Sequence, residues 1–392
     1  MILGNLCHRD FKEPVDVIIH EQEIAKVVPA GKANEQPQIY FDNAIVFPGL
    51  INSHDHLDFN LFPNLGNRTY GNYREWAGFI HQHYQKEINE VLSIPKYLRT
   101  QWGIYKNLLC GVTTVVNHGD PLMVGDAPIN VVQPVNNLHS VGFEKQWKLK
   151  LNHPLRRKHP YVIHIGEGVD AVAYREINQL LNWNFLNKKL IGVHGVSMTA
   201  QQGSSFSALV WCPVSNQYMF NATANIHELK HHTTILFGTD STLTAHWNIW
   251  EHLKAARATA QLQDEELFDA LTIIAAKIWK LNCGNIAASS VADLVVAHRK
   301  TAGSFYSNFY ALEPEDILLV ICNGKIRLFD ESLLDQLNQF ILPEDFSAIN
   351  VYGKVKYVAG NLPALLRQVA SSHLDVTFPV TAAQPLYHDQ SC

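Results

Sequence analysis

No stretch of the sequence approaches the roughly 20 consecutive apolar residues that a membrane-crossing helix requires, although 47% of its 392 residues are hydrophobic. A soluble chain with no membrane partner is therefore expected. Charge is also sparse: 17% of residues carry it, and 31 Lys+Arg stand against 36 Asp+Glu for a net −5. With no basic cluster, nucleic acid is excluded as the main partner. Ample apolar content excludes disorder. Six cysteines stand singly at 7, 110, 212, 283, 322 and 392, and no CxxC pair occurs. They read as buried thiols of a reducing compartment, not as a disulfide framework or a zinc ribbon. Met1-Ile2-Leu3-Gly4-Asn5 has no cationic region leading into an apolar run, so no signal peptide is read and the expected location is cytoplasmic. Internal repeats and low-complexity segments are missing too. What the chain has in quantity is histidine, 20 residues of it, which hints at metal or acid–base chemistry.

Both ends of the chain read as β-rich. Val15 to His20 and Ile24 to Val28 are short β-like runs near the start. Near the end come Ala292 to Val296, Ile317 to Cys322 and Lys325 to Phe329, the last two joined by Asn323-Gly324. Asn-Gly between apolar runs signals a type I′ hairpin, because both central residues need positive φ. Between these ends, apolar runs at Ile45 to Phe47, Val112 to Val116, Ile129 to Val132, Tyr161 to Ile163, Leu190 to Val193, Ala208 to Trp211 and Thr233 to Phe237 alternate with helical patterns. Trp247 to Ala260 and Glu265 to Leu281 are the clearest helices, the second with Asp264 as N-cap candidate and Gly284 beyond its end. Strand–helix alternation over about 240 residues fits a parallel α/β sheet, and a (β/α)8 barrel has that length.

Ser53-His54-Asp55-His56 follows directly on the run Ile45 to Ile51. In an extended segment residues two apart share a side, so His54 and His56 can aim into one site while Asp55 faces away. Imidazole pairs of that kind suit zinc or iron. His81-Gln82-His83 has the same spelling, but it sits in a helical pattern where positions two apart diverge by roughly 200°, and it is read as solvated or packing residues. Two further histidines, His164 and His194, end the runs beginning at Tyr161 and Leu190, and Asp240 follows the run ending at Phe237. Ligand-type residues at four strand ends converge on the C-terminal mouth of a barrel, where such folds build their sites.

These residues carry a family resemblance. The chain resembles the amidohydrolase superfamily, in its cytosine deaminase, chlorohydrolase and guanine deaminase branch. Pro48-Gly49 through His54-Asp55-His56 is similar to its PGxxxxHxH signature, and His164-Ile165-Gly166-Glu167 to its HxxE. His194 matches its sixth-strand histidine, Cys212-Pro213-Val214-Ser215-Asn216 its CPxSN, Gly238-Thr239-Asp240-Ser241 its GTDS, and Ala292 to Val296 its ADLVV. The resemblance implies that His54, His56, His164 and Asp240 hold one divalent metal ion, zinc first and iron as the alternative. It further implies that His194 touches the activated water and that Glu167 is the proton shuttle, so that Glu167, His194 and Asp240 form the catalytic set. The implied reaction is hydrolytic deamination of a nitrogen heterocycle, a small-molecule substrate. Hydrolysis of another C–N or C–Cl bond on a similar ring is the alternative, and a non-catalytic metal-binding member of the fold is a third.

His118 also ends a strand-like run and can face the substrate or serve packing. Cys212 reads as a packing residue. Arg68, Tyr70 and Tyr73 fall in Leu57 to Trp76, a segment that can cover the substrate, with solvated loop residues as the plainer reading. Arg68 is the substrate-binding candidate among them. A second metal would want a bridging lysine, and Lys145, Lys148 and Lys150 are available for it. The unrelated zinc deaminases are excluded because their HxE…PCxxC signature is missing. Only 46 residues separate His118 from His164, where two βα units of about 30 residues each are due, so a helix is expected to be lost there. The expected architecture is a barrel over 46–289, distorted around its third and fourth strands, with a small β-sandwich from 1–45 and 290–392. A homodimer stays open.

Overall fold

The short apolar runs at the two ends of the chain do become strands, and a single sheet takes them all. A computed structural model describes residues 1–392 apart from 34, 35, 37, 157, 373–375 and 385–392, so Cys392 lies outside the described residues. It divides into two units, one of Met1–Leu50, Ile104–Thr113 and Asn282–Cys392, the other of Ile51–Gly103 and Thr114–Leu281. In chain order the strands are β1 (Ile2–Cys7), β2 (Val15–His20), β3 (Glu23–Pro29), β4 (Ile39–Pro48), β5 (Leu50–Asp55) and β6 (Val112–Asn117). Then come β7 (Asn130–Val132), β8 (Asn136–Ser140), β9 (Tyr161–Ile165), β10 (Leu190–His194), β11 (Ala208–Trp211) and β12 (Thr234–Phe237). The last six are β13 (Leu294–His298), β14 (Ile317–Cys322), β15 (Lys325–Asp330), β16 (Phe346–Val351), β17 (Lys354–Ala359) and β18 (Val380–Ala382).

The first unit is built on a ten-stranded sheet in the order β18-β16-β17-β15-β14-β13-β4-β1-β2-β3. Its two halves, distant in sequence, meet where β4 pairs antiparallel with β13, with Val46 opposite Val296. Asn323 and Gly324 take φ of 53° and 72°, as a type I′ turn between β14 and β15 demands. Alternate residues of these strands, among them Leu3, Val17, Phe41, Val46, Leu294, Leu319, Phe329 and Tyr357, form one buried apolar cluster. Inside the sheet Lys356 is fully buried, its Nζ donating to Asp330 Oδ2 at 2.8 Å and to the carbonyls of Glu315 and Ile317.

The second unit is mixed α/β. The strands β8 to β12 form a five-stranded sheet in chain order with parallel pairing throughout, and β5, β6 and β7 form a three-stranded one. These strands are buried along their whole length where helices follow them, as for β9, β10 and β11, so they read as continuous apolar runs. After β5 the chain makes the helices α1 (Tyr73–His83), α2 (Gln85–Ser93) and α3 (Lys96–Leu109). Asn72 caps α1 by accepting from the Arg74 and Glu75 amides. Among the described residues, no helix is long and apolar enough to cross a membrane.

Several local expectations need correction. The run Ile45 to Ile51 is two strands: β4 stops at Pro48 and β5 starts at Leu50, because proline ends the ladder and Gly49 presses on Thr113, whose Oγ1 would lie 2.1 Å from an added Cβ. The helix expected over Glu265 to Leu281 is two, Asp264–Ala270 and Ile273–Trp279. The Leu271 carbonyl turns out to accept from the Ile51 amide at 2.8 Å, and Thr272 leaves the helical region at φ −130° and ψ −105°. Gln263, not Asp264, is the N-cap, and Lys280 in the left-handed region ends the second helix before Gly284 is reached. The other expected helix runs from Ile249 to Ala258 with Asn248 as its cap. The shortened wall is thinner than expected. No helix lies between β6 and β7, and only residues 133–135 link β7 to β8.

Candidate metal centre and catalytic site

The ends of four strands bring the chemistry together. His54 belongs to β5 and His56 follows it, His164 belongs to β9, His194 ends β10, and Asp240 lies three residues past β12. His164 Nε2 is 3.2 Å from His54 Nε2 and 3.3 Å from His56 Nε2. Asp240 Oδ1 is 3.8 Å from His54 Nε2 and 3.7 Å from His56 Nε2. A tetrahedral ion with bonds of about 2.0–2.1 Å to imidazole nitrogen spaces its ligand atoms about 3.3 Å apart. The four side chains fit a divalent cation by that measure, and by chemistry: burial, then the neighbouring imidazoles, holds His54 and His164 well below the usual histidine range, in the neutral form that can act as ligand. His54, His56 and Asp240 form one group, and His54, His164 and His194 another, whose ligand atoms lie within 4.8 Å of one another.

The supports of these residues are as specific as the residues themselves. Asp240 Oδ2 accepts from Ser215 Oγ at 2.7 Å and Oδ1 from the Ser241 amide at 2.8 Å. Thr244 Oγ1 donates to the same Oδ2 at 3.3 Å. His194 donates from Nδ1 to Asn216 Oδ1 at 2.8 Å, which leaves its Nε2 turned toward Glu167 and Asp240. Both His194 and Asp240 hold left-handed backbone, with φ of 72° and 58°. Asp55 faces away from the histidines, as alternation requires, and accepts from Asn60 Nδ2 at 2.8 Å.

Glu167 is buried, with Oε1 3.6 Å from His194 Nε2. Burial, and next the Asp240 carboxylate, pushes its carboxyl well above the usual range. Its glycine neighbours have a steric cause at Gly168, where φ is 155° and a Cβ would stand 2.6 Å from the Gly71 carbonyl, just before α1 begins. The Tyr73 amide donates to the Glu167 carbonyl there at 3.0 Å.

The remaining sequence candidates fall in different places. His118 is buried against the cluster, its ring centroid 4.4 Å from that of His164, and it is not among the residues that line the adjoining cavity. Arg68 lies outside that lining as well: it is half exposed, stacks over Tyr70 and Phe79 and pairs with Glu75 at 3.0 Å. Tyr70 and Tyr73 are buried, which corrects their reading as solvated loop residues. Lys148 stacks on Trp183 and Lys150 pairs with Glu144, and neither they nor Lys145 line the cavity. Cys212 is fully buried, and burial pushes its thiol up. His139 on β8 escaped the sequence reading: it lines the cavity, with its ring 5.4 Å from that of His164. The parts of Ser215 and Asn216 escaped it too, although CPxSN spelled their positions. The cavity measures about 330 Å³ and receives His56, His164, Glu167, His194 and Asp240 at its wall.

Comparison with known proteins agrees with this picture. Residues 161–327 match the model of the amidohydrolase family. The 5-methylthioadenosine/S-adenosylhomocysteine deaminases of Pyrococcus horikoshii and Pyrococcus abyssi are 24% and 26% identical over 201 residues, 44% of this chain and 47% of theirs. The chain thus spans about half the length of the curated relatives it matches. Among solved structures, an adenosine deaminase from Xanthomonas campestris with bound zinc superposes with a TM-score of 0.68 at 14% identity, covering 95% of this chain and 97% of that one. Helicobacter pylori aminofutalosine deaminase, in complex with methylthio-coformycin, gives 0.60 at 15% identity, over 83% of this chain and 99% of its own. An atrazine chlorohydrolase from Arthrobacter aurescens, complexed with zinc and atraton, gives 0.59 at 15%, over 83% and 94%. The resemblance to the amidohydrolase superfamily therefore holds in sequence over residues 161–327, and the likeness of fold to these deaminase and chlorohydrolase structures covers 83% to 95% of the chain.

Proposed function

We propose that this protein is a metal-dependent hydrolase that removes an exocyclic amine from a nitrogen heterocycle and releases ammonia. The observation that carries the proposal is the placement of Glu167, a buried carboxyl with an elevated pKa, beside a four-residue donor set of which His56, His164 and Asp240 reach the wall of the same cavity. His54, His56, His164 and Asp240 would hold the ion, zinc before iron. When bound, such an ion supplies Lewis-acid activation of water, whose pKa it lowers from 15.7 to about 7. Glu167 accepts a proton from the attacking water and delivers it to the ring nitrogen. It then takes the proton of the newly added hydroxyl and passes it to the amine, which departs as ammonia as the carbonyl forms. His194, fixed by Asn216, keeps its Nε2 facing the reacting oxygen. Asp240, held by Ser215, Thr244 and the Ser241 amide, keeps its carboxylate from swinging toward Glu167.

In this reading the eight strands β5 to β12 close as the distorted barrel expected over 46–289, and the ten-stranded sheet is the core of the β-sandwich domain expected from 1–45 and 290–392. The named activities of the relatives, deamination of methylthioadenosine, aminofutalosine and adenosine, lend it support. The chlorohydrolase among the fold neighbours keeps C–Cl hydrolysis as the second reading. A panel of aminopurines, aminopyrimidines and amino- and chlorotriazines, assayed for ammonia and chloride alongside metal analysis, separates the two. Ammonia from at least one ring is expected. Chloride alone would select the second reading, and neither product with a full complement of metal would leave a binding protein.

A further inference from the structure

Beyond the cluster, the cavity is lined by the helical pair that follows β5. Trp76, Ala77 and Ile80 of α1 face it together with Ile88 and Leu92 of α2. This lining has no polar atom to spare from its large aromatic side chains. Trp76 Nε1 donates to the Leu65 carbonyl at 2.7 Å, and the Tyr73 hydroxyl is taken up by Glu176 and by the Gly142 amide. Leu92 is 48% exposed, an apolar side chain at the rim that the protein itself leaves uncovered. No lysine or arginine lines the cavity, while Glu167 and Asp240 do. A phosphate would meet two carboxylates there and no lysine or arginine, and the basic side chains outside the donor set are the imidazoles of His81, His139 and His194.

We propose that the α1–α2 wall is a subsite for an uncharged alkyl or aryl substituent on the heterocycle, and that phosphorylated nucleosides are excluded. The proposal rests on the reading of the site as a hydrolase of nitrogen heterocycles. A volume of about 330 Å³ is at the low end for small-molecule sites, room for one ring system with one short substituent. Apart from His81 on α1, the wall is aromatic and aliphatic, and it gains affinity by covering that substituent.

The test uses the full chain loaded with zinc. Isothermal titration calorimetry measures 9-methyl-, 9-propyl- and 9-butyladenine and adenosine 5′-monophosphate, and ammonia release is followed for the same four compounds. Affinity should rise about fourfold with each added CH₂, and the monophosphate should bind most weakly of the four. Ile80→Asp should flatten the gradient. Leu92→Asp, at an exposed rim position that tolerates a charge, should reduce it and serves if the first variant does not fold. A flat series in the unaltered protein, a monophosphate that matches the butyl compound, or no binding by any alkyl compound overturns the subsite. A steep affinity gradient without ammonia leaves the subsite standing and sinks deamination of these rings. Equal ammonia release from the methyl and butyl compounds with a flat affinity series does the reverse.

Discussion

His54-Asp55-His56 and His81-Gln82-His83 are the same triplet in outline, and both contribute to the cavity, His56 from one and His81 from the other. Their environments differ completely. The first runs off the end of β5, where pleating sends both imidazoles to one side and their ring centroids lie 4.9 Å apart, within reach of His164 and Asp240. The second occupies the last turn of α1, where the two rings diverge; both residues are exposed, and His83 packs on Phe79 at 4.3 Å. The pair teaches that a ligand motif is a statement about backbone geometry. A strand end makes two histidines convergent, and a helix keeps them apart.

The sharpest way to break the comparison is to remove one histidine from each triplet. His56→Ala should take the protein from about one bound zinc per chain to a small fraction of that, read by elemental mass spectrometry on the desalted protein. A variant that keeps its full metal would end the claim that the first triplet is a ligand pair. Next in size is Glu167→Gln, which keeps the side chain's shape but removes its titratable proton. Turnover should drop by about 10²–10⁴-fold with metal content unchanged, and loss of metal instead would make Glu167 a ligand. Asn216→Ala leaves His194 Nδ1 without its acceptor. Loss of such an orienting partner costs about 10–100-fold in activity or metal affinity, so a rate within twofold of normal would show that His194 holds its orientation unaided. The smallest effect belongs to the second triplet. His83→Ala should leave metal content unchanged and shift unfolding free energy by no more than about 0.5 kcal/mol in a urea titration.

The legible parts of the molecule were those written in adjacent residues. Runs such as Tyr161 to Ile163 and Leu190 to Val193 are strands buried on both faces, so their apolar continuity and their terminal His164 and His194 appear directly in the sequence. The Asn323-Gly324 turn is legible for the same reason, since its two positive φ values are a local demand. What escaped depends on distant partners. Thr272 breaks a helix that its neighbours favour because Leu271 is engaged by Ile51, more than two hundred positions away in the chain. Ser215 and Asn216 acquire their parts only through Asp240 and His194. His139 sits in a wall too short to show a strand–helix rhythm, so no pattern marked it.

The left-handed backbone at His194 and Asp240 also bears on how this site can change. A residue held there costs roughly 1–3 kcal/mol unless it is glycine, with asparagine, aspartate and histidine the side chains that tolerate it best. Glutamate and cysteine can bind metals just as well, yet at either position they would add a conformational penalty to the loss of Ser215 or Asn216 as partner. Single substitutions that exchange the side chain for another of metal-binding type are therefore uphill at both places. Variation in the chemistry of this chain has an easier path along the α1–α2 wall, where side chains can be replaced without bending the backbone that carries the ligands.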